Sequence, residues 1–352
     1  MNFVHINKRI DNFASEIWDK ISNPQNSIEA LFYLTQNCNL TCRGCYMREL
    51  NDNHGKTMPA NDVLRYLRMM HKQEHFFGSV VFSGGEIFTL PTQYLQTNVQ
   101  NAVDINEHIH LKTNLSWIQN PQTANEIFNM LKNINADKLL TATDQEINDF
   151  LSKIGKEKCL ELGHNRLHKM MLEHLPSVPP IDICTSIDNK IHPHSCSQWF
   201  ISAINKLSQD TLLNEKVQLK TFSFLESFDF FVKNILKSPK LKIENIETFG
   251  EYNEILTYTA NGINITSFFG QYFDTKQKFS PETMTDVIVE SPSGPRIVYY
   301  FYPDRTVALD ANMRPVGRIS YVTKTGNLKS IKQIQQEIAK RATQEYAHLI
   351  TR

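Results

Sequence analysis

Short apolar runs alternate with amphipathic stretches between residues 30 and 250, an order typical of β/α folds. The run at 60–73 places Val63, Leu67 and Met70 on one helical face, as expected of a helix that covers a sheet. Buried strands are predicted at residues 30–36, 79–83, 108–114, 180–188, 216–222 and 245–249. This pattern predicts about six parallel strands joined by crossover helices, arranged as an open sheet or a partial barrel.

Two regions break the alternation. Residues 140–176 begin with a capping box, Thr143 to Glu146, and continue as helix with no strand between, which predicts a helical insertion. From about residue 250 the pattern changes to β-rich hairpins, followed by a helix at about 329–347. We therefore predict an α/β fold class: a partial (β/α)6 barrel at 30–250 with a helical insertion, a helical lead-in at 1–29, and a small β-rich C-terminal extension at 251–352.

The charge of the chain is balanced, with 37 basic and 37 acidic side chains among 352 residues, so no overall field favours nucleic acid or an anionic membrane. The start of the chain has no apolar run of the signal-peptide type, and no stretch has 18 uninterrupted apolar residues. We predict a cytoplasmic protein without a nucleic-acid or membrane partner. In that reducing compartment a tight group of thiols indicates metal or redox chemistry rather than disulfides.

Three cysteines, Cys38, Cys42 and Cys45, fall within the eight residues CNLTCRGC. Thiolates bind soft metals, and three on a short loop can occupy three corners of a tetrahedral or cubane site. A structural zinc site normally needs a fourth protein ligand. The remaining cysteines, Cys159, Cys184 and Cys196, are isolated in the sequence, although a histidine could supply the fourth ligand. The three thiols instead suit a 4Fe-4S cluster with one open iron. Zinc binding and chance clustering remain the alternatives.

The segment YLTQNCNLTCRGCYM resembles the loop after the first barrel strand of radical S-adenosylmethionine (SAM) enzymes. The resemblance implies that Cys38, Cys42 and Cys45 bind the cluster. The family commonly has an aromatic residue before the third cysteine, packed near the adenine, whereas this chain has Gly44. Tyr46, the next candidate along the chain, would then supply the adenine contact.

A second motif, FSGGE at 82–86, follows the second predicted strand and includes Ser83, Gly84, Gly85 and Glu86. Glycines allow a backbone to approach a ligand closely, and a carboxylate pairs with an ammonium. A glycine pair after a strand is by itself usually a turn. In the family that this chain resembles, the GGE element holds the amino group of the methionine moiety. The resemblance therefore implies two cofactors, one 4Fe-4S cluster and S-adenosyl-L-methionine.

Further candidates lie at strand ends, where parallel α/β folds collect ligands. The resemblance implies that Thr113 and Asn114 contact the ribose or the carboxylate of the cofactor, and loop capping by Asn114 is the alternative. On the strand 180–188, polar residues alternate with apolar ones, so one face would line the barrel interior. Ser186 and Asp188 would lie nearest the cofactor on that face, unless Asp188 is a turn aspartate.

Cys184 shares the inward face with Asp182. A thiol has a weak S–H bond and could quench a substrate radical by hydrogen donation, as radical epimerases require, although a buried cysteine more often acts as a small hydrophobic residue. The histidines with suggestive spacing lack an acidic or thiol partner set, so we expect solvated or capping roles for them: His164, His168, His174, His192 and His194.

The C-terminal extension resembles, more loosely, the SPASM or twitch extensions of peptide-modifying radical SAM enzymes. Residues 302–320 keep the hairpin frame, and the matching positions are Pro303, Asp304, Val307 and Gly317. Asp310 stands where the cluster cysteine would be, and no cysteine occurs after Cys196. An auxiliary cluster would therefore lack thiolate ligands here, and the hairpin would serve as a binding or capping platform.

The resemblance implies an enzyme that reductively cleaves SAM to a 5'-deoxyadenosyl radical, which abstracts hydrogen from a substrate. We expect a ribosomally made peptide as substrate, with epimerisation or bond formation as the outcome. A free amino acid or another small metabolite is the alternative substrate, and a zinc-binding protein without enzymatic activity is the third hypothesis. The expected redox partner is an external one-electron donor such as flavodoxin or ferredoxin.

Overall fold

An eleven-stranded sheet organises the protein, for which a computed structural model describes residues 3–23, 27–42, 45, 56–72, 76–105, 108–188, 195–224, 227–249, 255–270, 296–309 and 318–351. The strands are β1 (Ser27–Thr35), β2 (Phe76–Gly84), β3 (His108–Lys112), β4 (Leu139–Leu140), β5 (Ser177–Val178), β6 (Ile181–Ser186), β7 (Val217–Phe224), β8 (Ile243–Phe249), β9 (Ile255–Ala260), β10 (Ile263–Gly270), β11 (Arg296–Phe301), β12 (Thr306–Leu309) and β13 (Ile319–Ser320). Strands β4 and β5 form a separate two-stranded sheet.

The helices cover and flank this sheet. They are α1 (Phe3–Ser22), α2 (Ala60–His71), α3 (Thr92–Val103), α4 (Pro121–Lys132), α5 (Asp144–Ile154), α6 (Lys156–His174), α7 (Ser195–Leu207), α8 (Thr211–Lys216), α9 (Phe228–Phe231) and α10 (Ile331–Thr351), with a π-helical turn at Val232–Leu236 after α9. No helix within the described ranges has the length and apolar composition needed to cross a lipid bilayer.

Seven neighbouring strands run parallel, in the spatial order β11-β1-β2-β3-β6-β7-β10. Antiparallel strands flank them, β12 and β13 at one edge and β9 and β8 at the other. The predicted α/β class, with a largely parallel sheet and a β-rich C-terminal part, is confirmed. The helical insertion is present as α5 and α6, and it begins at the predicted capping box of Thr143 and Glu146.

The sixth parallel strand differs from the prediction. Residues 245–249 lie in β8, the antiparallel strand at the outer edge, where most of the side chains are exposed, and β10 takes the parallel position beside β7. Asn261 and Gly262 form the two-residue turn between β9 and β10, both with positive φ. Such a turn reverses the chain, so the second strand of the hairpin returns in the parallel direction.

The sheet also continues across the predicted boundary near residue 250. Strand β11 pairs in parallel with β1, with Leu31 opposite Tyr300, so the C-terminal part completes the sheet on the far side of β1. The predicted lead-in is occupied by α1, which packs against α10 through stacked rings of Phe13 and Tyr346 with centroids 4.0 Å apart. Both chain ends therefore contribute to the same core.

Side-chain alternation gives the sheet two different faces. On β3, Ile109 and Leu111 are buried in the main core beneath the helices, whereas His108, His110 and Lys112 point to the opposite face. We call this opposite face the lumen face. Beside β11 it is lined by a small apolar cluster of Leu31, Tyr33, Val81, Val298, Tyr302 and Ala308.

Helix α2 is joined to the C-terminal part by polar contacts of two of its buried side chains, Tyr66 and Asp62. The hydroxyl of Tyr66 lies 2.9 Å from the carbonyl oxygen of Tyr321 and 3.2 Å from that of Lys329. Asp62, on the same helix, pairs with the Nε of Arg305 at 3.1 Å. The segment between β1 and α2 carries Cys38, Cys42 and Cys45, and we call it the cysteine loop. Because α2 directly follows this loop, these contacts fix one end of it.

We predict that Tyr66→Phe lowers the free energy of unfolding by about 1 to 2 kcal/mol, because the buried carbonyl oxygen of Tyr321 and the part-buried one of Lys329 lose their hydroxyl partner. Urea unfolding of the cluster-free protein measures the change. Tyr346→Phe is the control, since its ring stacks on Phe13 and its hydroxyl has no hydrogen bond to any described residue. Equal stability of Tyr66→Phe and wild type would contradict this role of the hydroxyl.

Candidate functional site

The cysteine loop leaves β1 and returns to the same place. Thr35, the last residue of β1, forms an isolated bridge with Thr57. Beyond the loop, the N–H of Met58 donates to the carbonyl of Leu34 at 2.9 Å, and the hydroxyl of Tyr94 donates to the carbonyl of Met58 at 2.6 Å. Both ends of the loop are therefore held at the carboxyl edge of the parallel strands.

The GGE turn after β2 packs directly on the first residues of this loop. The N–H of Gly85 donates to the carbonyl of Thr35, and the N–H of Glu86 donates to that of Asn37, both at 2.8 Å. A Cβ on Gly84, which has a φ of +142°, would lie 2.2 Å from the Thr35 oxygen, and one on Gly85 would lie 2.1 Å from the Asn37 oxygen. The space that the two glycines leave is thus filled by the backbone that leads into Cys38.

Glu86 is fully buried and accepts three hydrogen bonds. Its Oε1 accepts from the N–H of Phe88 at 3.0 Å and from the hydroxyl of Thr113 at 2.8 Å, and its Oε2 accepts from the N–H of Asn114 at 2.7 Å. Burial outweighs these hydrogen bonds and raises the pKa of Glu86 to about 7. The carboxyl group therefore joins the ends of β2 and β3, in addition to any ligand that Oε2 contacts.

Asn114 links the end of β3 to the cysteine loop. Its Oδ1 accepts from the N–H of Ser116 at 2.8 Å, which caps the short 3-10 helix there. Its Nδ2 donates to Oδ1 of Asn39 at 2.9 Å and lies 4.0 Å from the Sγ of Cys38. The side chain thus acts as a loop cap and as a support for Cys38, whereas Thr113 is engaged by Glu86 and by the indole N–H of Trp117 at 3.1 Å.

The three predicted cluster ligands lie together on this loop. Cys38 is exposed, while Cys42 and Cys45 are half-buried, and Cys45 packs against the apolar cluster of the lumen face. The N–H of Leu40 donates to the Sγ of Cys38 at 3.4 Å. Although the residue is exposed overall, partial desolvation of its sulfur by the surrounding loop raises the pKa of the Cys38 thiol.

The spacing of these thiols tests which metal group they fit. The sulfurs of Cys38, Cys42 and Cys45, all three among the described residues, are not all within 4.8 Å of one another. Thiolates on a single zinc ion would be about 3.8 Å apart, because each Zn–S bond is about 2.3 Å long. The more open arrangement suits a 4Fe-4S cluster, whose ligands bind different irons.

A polar network that the sequence analysis missed lies deeper on the lumen face. The carboxylate of Asp182, fully buried, is 2.7 Å from Nδ1 of His110, 3.2 Å from Nε2 of His108 and 2.7 Å from Nζ of Lys220. It also accepts from Nε2 of Gln218 at 2.6 Å. The alternation in HIHLK, at residues 108–112, carried the signal, since it places two histidines and a lysine on one face.

The ligand atoms of His108, His110 and Asp182 lie within 4.8 Å of one another, which is a metal-like spacing. However, the ammonium of Lys220 already neutralises the carboxylate that a metal would need. Burial opposes the ionisation of Asp182, but hydrogen bonds from the two histidines outweigh it and hold the pKa of Asp182 well below its usual range. This group is therefore a charge-compensated network.

Cys184 lies beside this network, with its Sγ 3.9 Å from Nδ1 of His110. Its burial raises the pKa of the thiol to about 12, so the group is neutral. Asp188 is buried and accepts a hydrogen bond from the hydroxyl of Ser227 at 3.0 Å. Ser186 is half-buried, and Ser83 is buried opposite Tyr33 in the pairing of β1 with β2.

The remaining candidates lie elsewhere or outside the described residues. His168, His174 and Cys159 are on α6 of the helical insertion, and Asp304 is a turn residue that accepts from the N–H of Thr306 and pairs with Arg318, both at 3.1 Å. The candidates outside the described residues are Gly44, Tyr46, His192, His194, Asp310 and Gly317, and the side chain of His164 is likewise not described.

Residues 32–160 match the family model described as Radical SAM superfamily. Among solved structures, the chain is similar to Streptococcus suis SuiB bound to precursor peptide SuiA, with 13% identity over 83% of this chain and 62% of that chain and a TM-score of 0.38. It is also similar to methylornithine synthase (PylB), with 13% identity over 64% and 61% and a TM-score of 0.26. The third similar structure is HydG, a maturase of the FeFe-hydrogenase, with 12% identity over 63% of this chain and 48% of that chain and a TM-score of 0.29.

In each of these three structures the match covers less than two thirds of the neighbour's length. A comparison with curated proteins gave no match.

We predict that Gly85→Ala displaces the start of the cysteine loop, because the new Cβ would lie 2.1 Å from the carbonyl oxygen of Asn37. Anaerobic reconstitution should load this variant with less than about half of the wild-type iron, since the ligand geometry of a metal site depends on its supporting contacts. Gly262→Ala is the control for backbone strain without a clash: its φ of +81° disfavours alanine, but it sits in the β9–β10 turn, where a Cβ would meet nothing within 4 Å. Wild-type iron content in Gly85→Ala would show that the loop tolerates the shift.

Proposed function

We propose that the chain, which matches the Radical SAM superfamily model over residues 32–160, is a radical SAM enzyme that cleaves S-adenosyl-L-methionine reductively and abstracts hydrogen from a substrate. One observation carries the proposal: the GGE turn is hydrogen-bonded to the root of the cysteine loop at Thr35 and Asn37. This contact puts the three thiols and Glu86 at the same carboxyl edge of the parallel strands, the edge at which such folds bind ligands.

In this proposal Cys38, Cys42 and Cys45 would hold a 4Fe-4S cluster, and the redox partner would be an external one-electron donor such as flavodoxin or ferredoxin. When bound, the cluster and SAM would supply a 5'-deoxyadenosyl radical as the hydrogen-abstracting species. The hydrogen bond from Leu40 to the Cys38 sulfur would stabilise the thiolate and tune the cluster. Asn114 and Asn39 would hold Cys38 in place from the neighbouring strand.

The GGE region would bind the cofactor near Ser83 and Glu86. Glu86 would pair with the amino group of the cofactor through Oε2, because its Oε1 already accepts two hydrogen bonds. In the desolvated setting that raises the pKa of Glu86 to about 7, an ammonium partner would favour the ionised carboxylate. Cofactor binding and ionisation of Glu86 would therefore support each other.

We propose a ribosomally made peptide as the substrate, modified by epimerisation or bond formation. Support comes from the resemblance of residues 302–320 to the extensions of peptide-modifying radical SAM enzymes. The sequence has no cysteine after Cys196, which favours reactions that do not need a second cluster in that extension. A small metabolite is the second candidate, favoured by the compact polar network around Asp182.

We predict that replacing Cys38, Cys42 or Cys45 with Ala abolishes both cluster loading and the formation of 5'-deoxyadenosine, because each thiolate would bind a different iron. Iron content and product formation with dithionite as the reductant are the measurements. Cys159→Ala, on the helical insertion, is the control and should behave as wild type. Wild-type product formation by any of the three variants, or stoichiometric zinc in a colourless protein, would contradict the proposed function.

We predict that Glu86→Gln leaves the cluster in place but weakens SAM binding about tenfold or more, the scale of a charge-assisted hydrogen bond. The new amide would also face the N–H of Asn114, donor against donor, so the free energy of unfolding should fall by about 1 to 3 kcal/mol. Equilibrium dialysis with SAM and urea unfolding measure the two effects. Glu247→Gln, on the exposed edge strand β8, is the matched control, and unchanged SAM affinity would exclude Glu86 from the cofactor site.

A further inference from the structure

Cys184 stands between two lysines on the lumen face. The strand pairing puts Lys112 of β3 opposite Cys184 of β6, and Cys184 opposite Lys220 of β7. Side chains directly across parallel strands share a face of the sheet. The three groups therefore form one row across the lumen, with the thiol in the middle.

The side chain of Lys112 reaches across this row. Its Nζ lies 5.8 Å from the ring centroid of Phe222, which belongs to β7, and β6 separates β3 from β7 in the sheet. The lysine therefore passes over β6 on the lumen face, next to Cys184. As a result, the ammonium groups of Lys112 and Lys220 serve the same region of that face.

The charges of the two lysines are not equally compensated. Lys220 pairs with Asp182 at 2.7 Å, and that carboxylate is also contacted by both histidines of the network. Lys112 has no ion pair with any residue that the structure describes; its interaction there is with the Phe222 ring. Asp188, which follows β6 in the chain, is buried and accepts a hydrogen bond from Ser227. Among the described residues of the lumen face, the ammonium of Lys112 is therefore available to pair with an anionic ligand.

The neighbouring surface is apolar and accessible. Phe222 is 40% exposed although it stacks on Phe268 with ring centroids 5.2 Å apart. An exposed, rigidly stacked ring beside an uncompensated ammonium offers two complementary contacts to one ligand. A carboxylate attached to an apolar group satisfies both contacts.

We propose that Lys112, with Lys220 behind it, binds a substrate carboxylate on the lumen face, and that Phe222 packs against the apolar group attached to it. The proposal rests on the proposed function and deepens it by naming the substrate class: a carboxylate-bearing amino acid residue or small molecule. Because Cys184 lies between Lys112 and Lys220 in the strand register, we expect such a ligand to lie over Cys184. The Asp182 network acts as a positioning group, because it fixes Lys220 and the two histidines from below.

The test measures equilibrium binding to the reconstituted full chain by ligand-observed NMR. N-acetyl-L-phenylalanine presents a terminal carboxylate, the α-amide of N-acetyl-L-glutamate presents a side-chain carboxylate, and N-acetyl-L-phenylalaninamide is the neutral match of the first probe. Wild type should bind at least one of the two acids about tenfold or more tightly than the neutral amide. Which acid binds distinguishes a chain terminus or free acid from an acidic side chain.

The variants localise the binding. Lys112→Gln should lose about tenfold in affinity for the acid, whereas Lys112→Arg should stay within about threefold of wild type. Phe222→Ala should lower the affinity for N-acetyl-L-phenylalanine. Lys240→Gln, a surface lysine outside the lumen, is the control and should bind as wild type. Lys112 makes no described ion pair, so its loss should not unfold the protein.

Equal affinity for acid and amide, or unchanged binding in Lys112→Gln, would overturn the proposal. Zn²⁺ binding that is lost in His110→Ala but kept in Lys112→Gln would assign the face to a metal and would also overturn it. Cluster loading and 5'-deoxyadenosine formation are measured on the same samples. If they are normal while no carboxylate binds, the substrate inference alone fails; if they are absent while the acid still binds, the proposed function fails instead.

Discussion

The close approach of two backbone segments, at the ends of β1 and β2, is the constraint on which the rest of the site depends. Gly84 and Gly85 lie so near Thr35 and Asn37 that a side chain on either glycine would collide with a carbonyl oxygen. The first residues of the cysteine loop are therefore positioned by the fold. The protein pre-organises one end of its metal-binding loop with main-chain hydrogen bonds, which do not depend on the identity of the loop residues that follow.

The same strands serve two purposes because their side chains alternate. Odd-numbered residues of β3 are buried in the core, while its even-numbered residues build the polar lumen face. Asp182 is central to that face, since one carboxylate holds a lysine, a glutamine and two histidines. The free-energy cost of burying the Asp182 carboxylate stays small only while all of these partners remain in place. We therefore expect the network to be rigid as a unit.

Sequence reasoning reached most of the architecture because helical and strand periodicities are local. It identified the parallel strands through β7, the capped helical insertion and the cysteine and GGE motifs. It misplaced the sixth parallel strand, β10, because pairing partners depend on chain direction, which the Asn261–Gly262 turn reverses. It also could not predict that Glu86 and Asn114 form most of their hydrogen bonds with neighbouring backbone and loop groups. Those contacts arise only when the ends of β1, β2 and β3 come together in the fold.

The pairing of β1 with β11 has a consequence for how the protein is made. Strand β1 is strongly apolar, and β2, which follows soon after it in the chain, can cover only one of its edges. The other edge waits for β11, which comes far later in the sequence. A nascent chain released before residue 301 would expose a flat hydrophobic strand edge, the kind of surface that recruits other chains. By pairing with the free edge of β1, strand β11 thus also reduces self-association of the newly made protein.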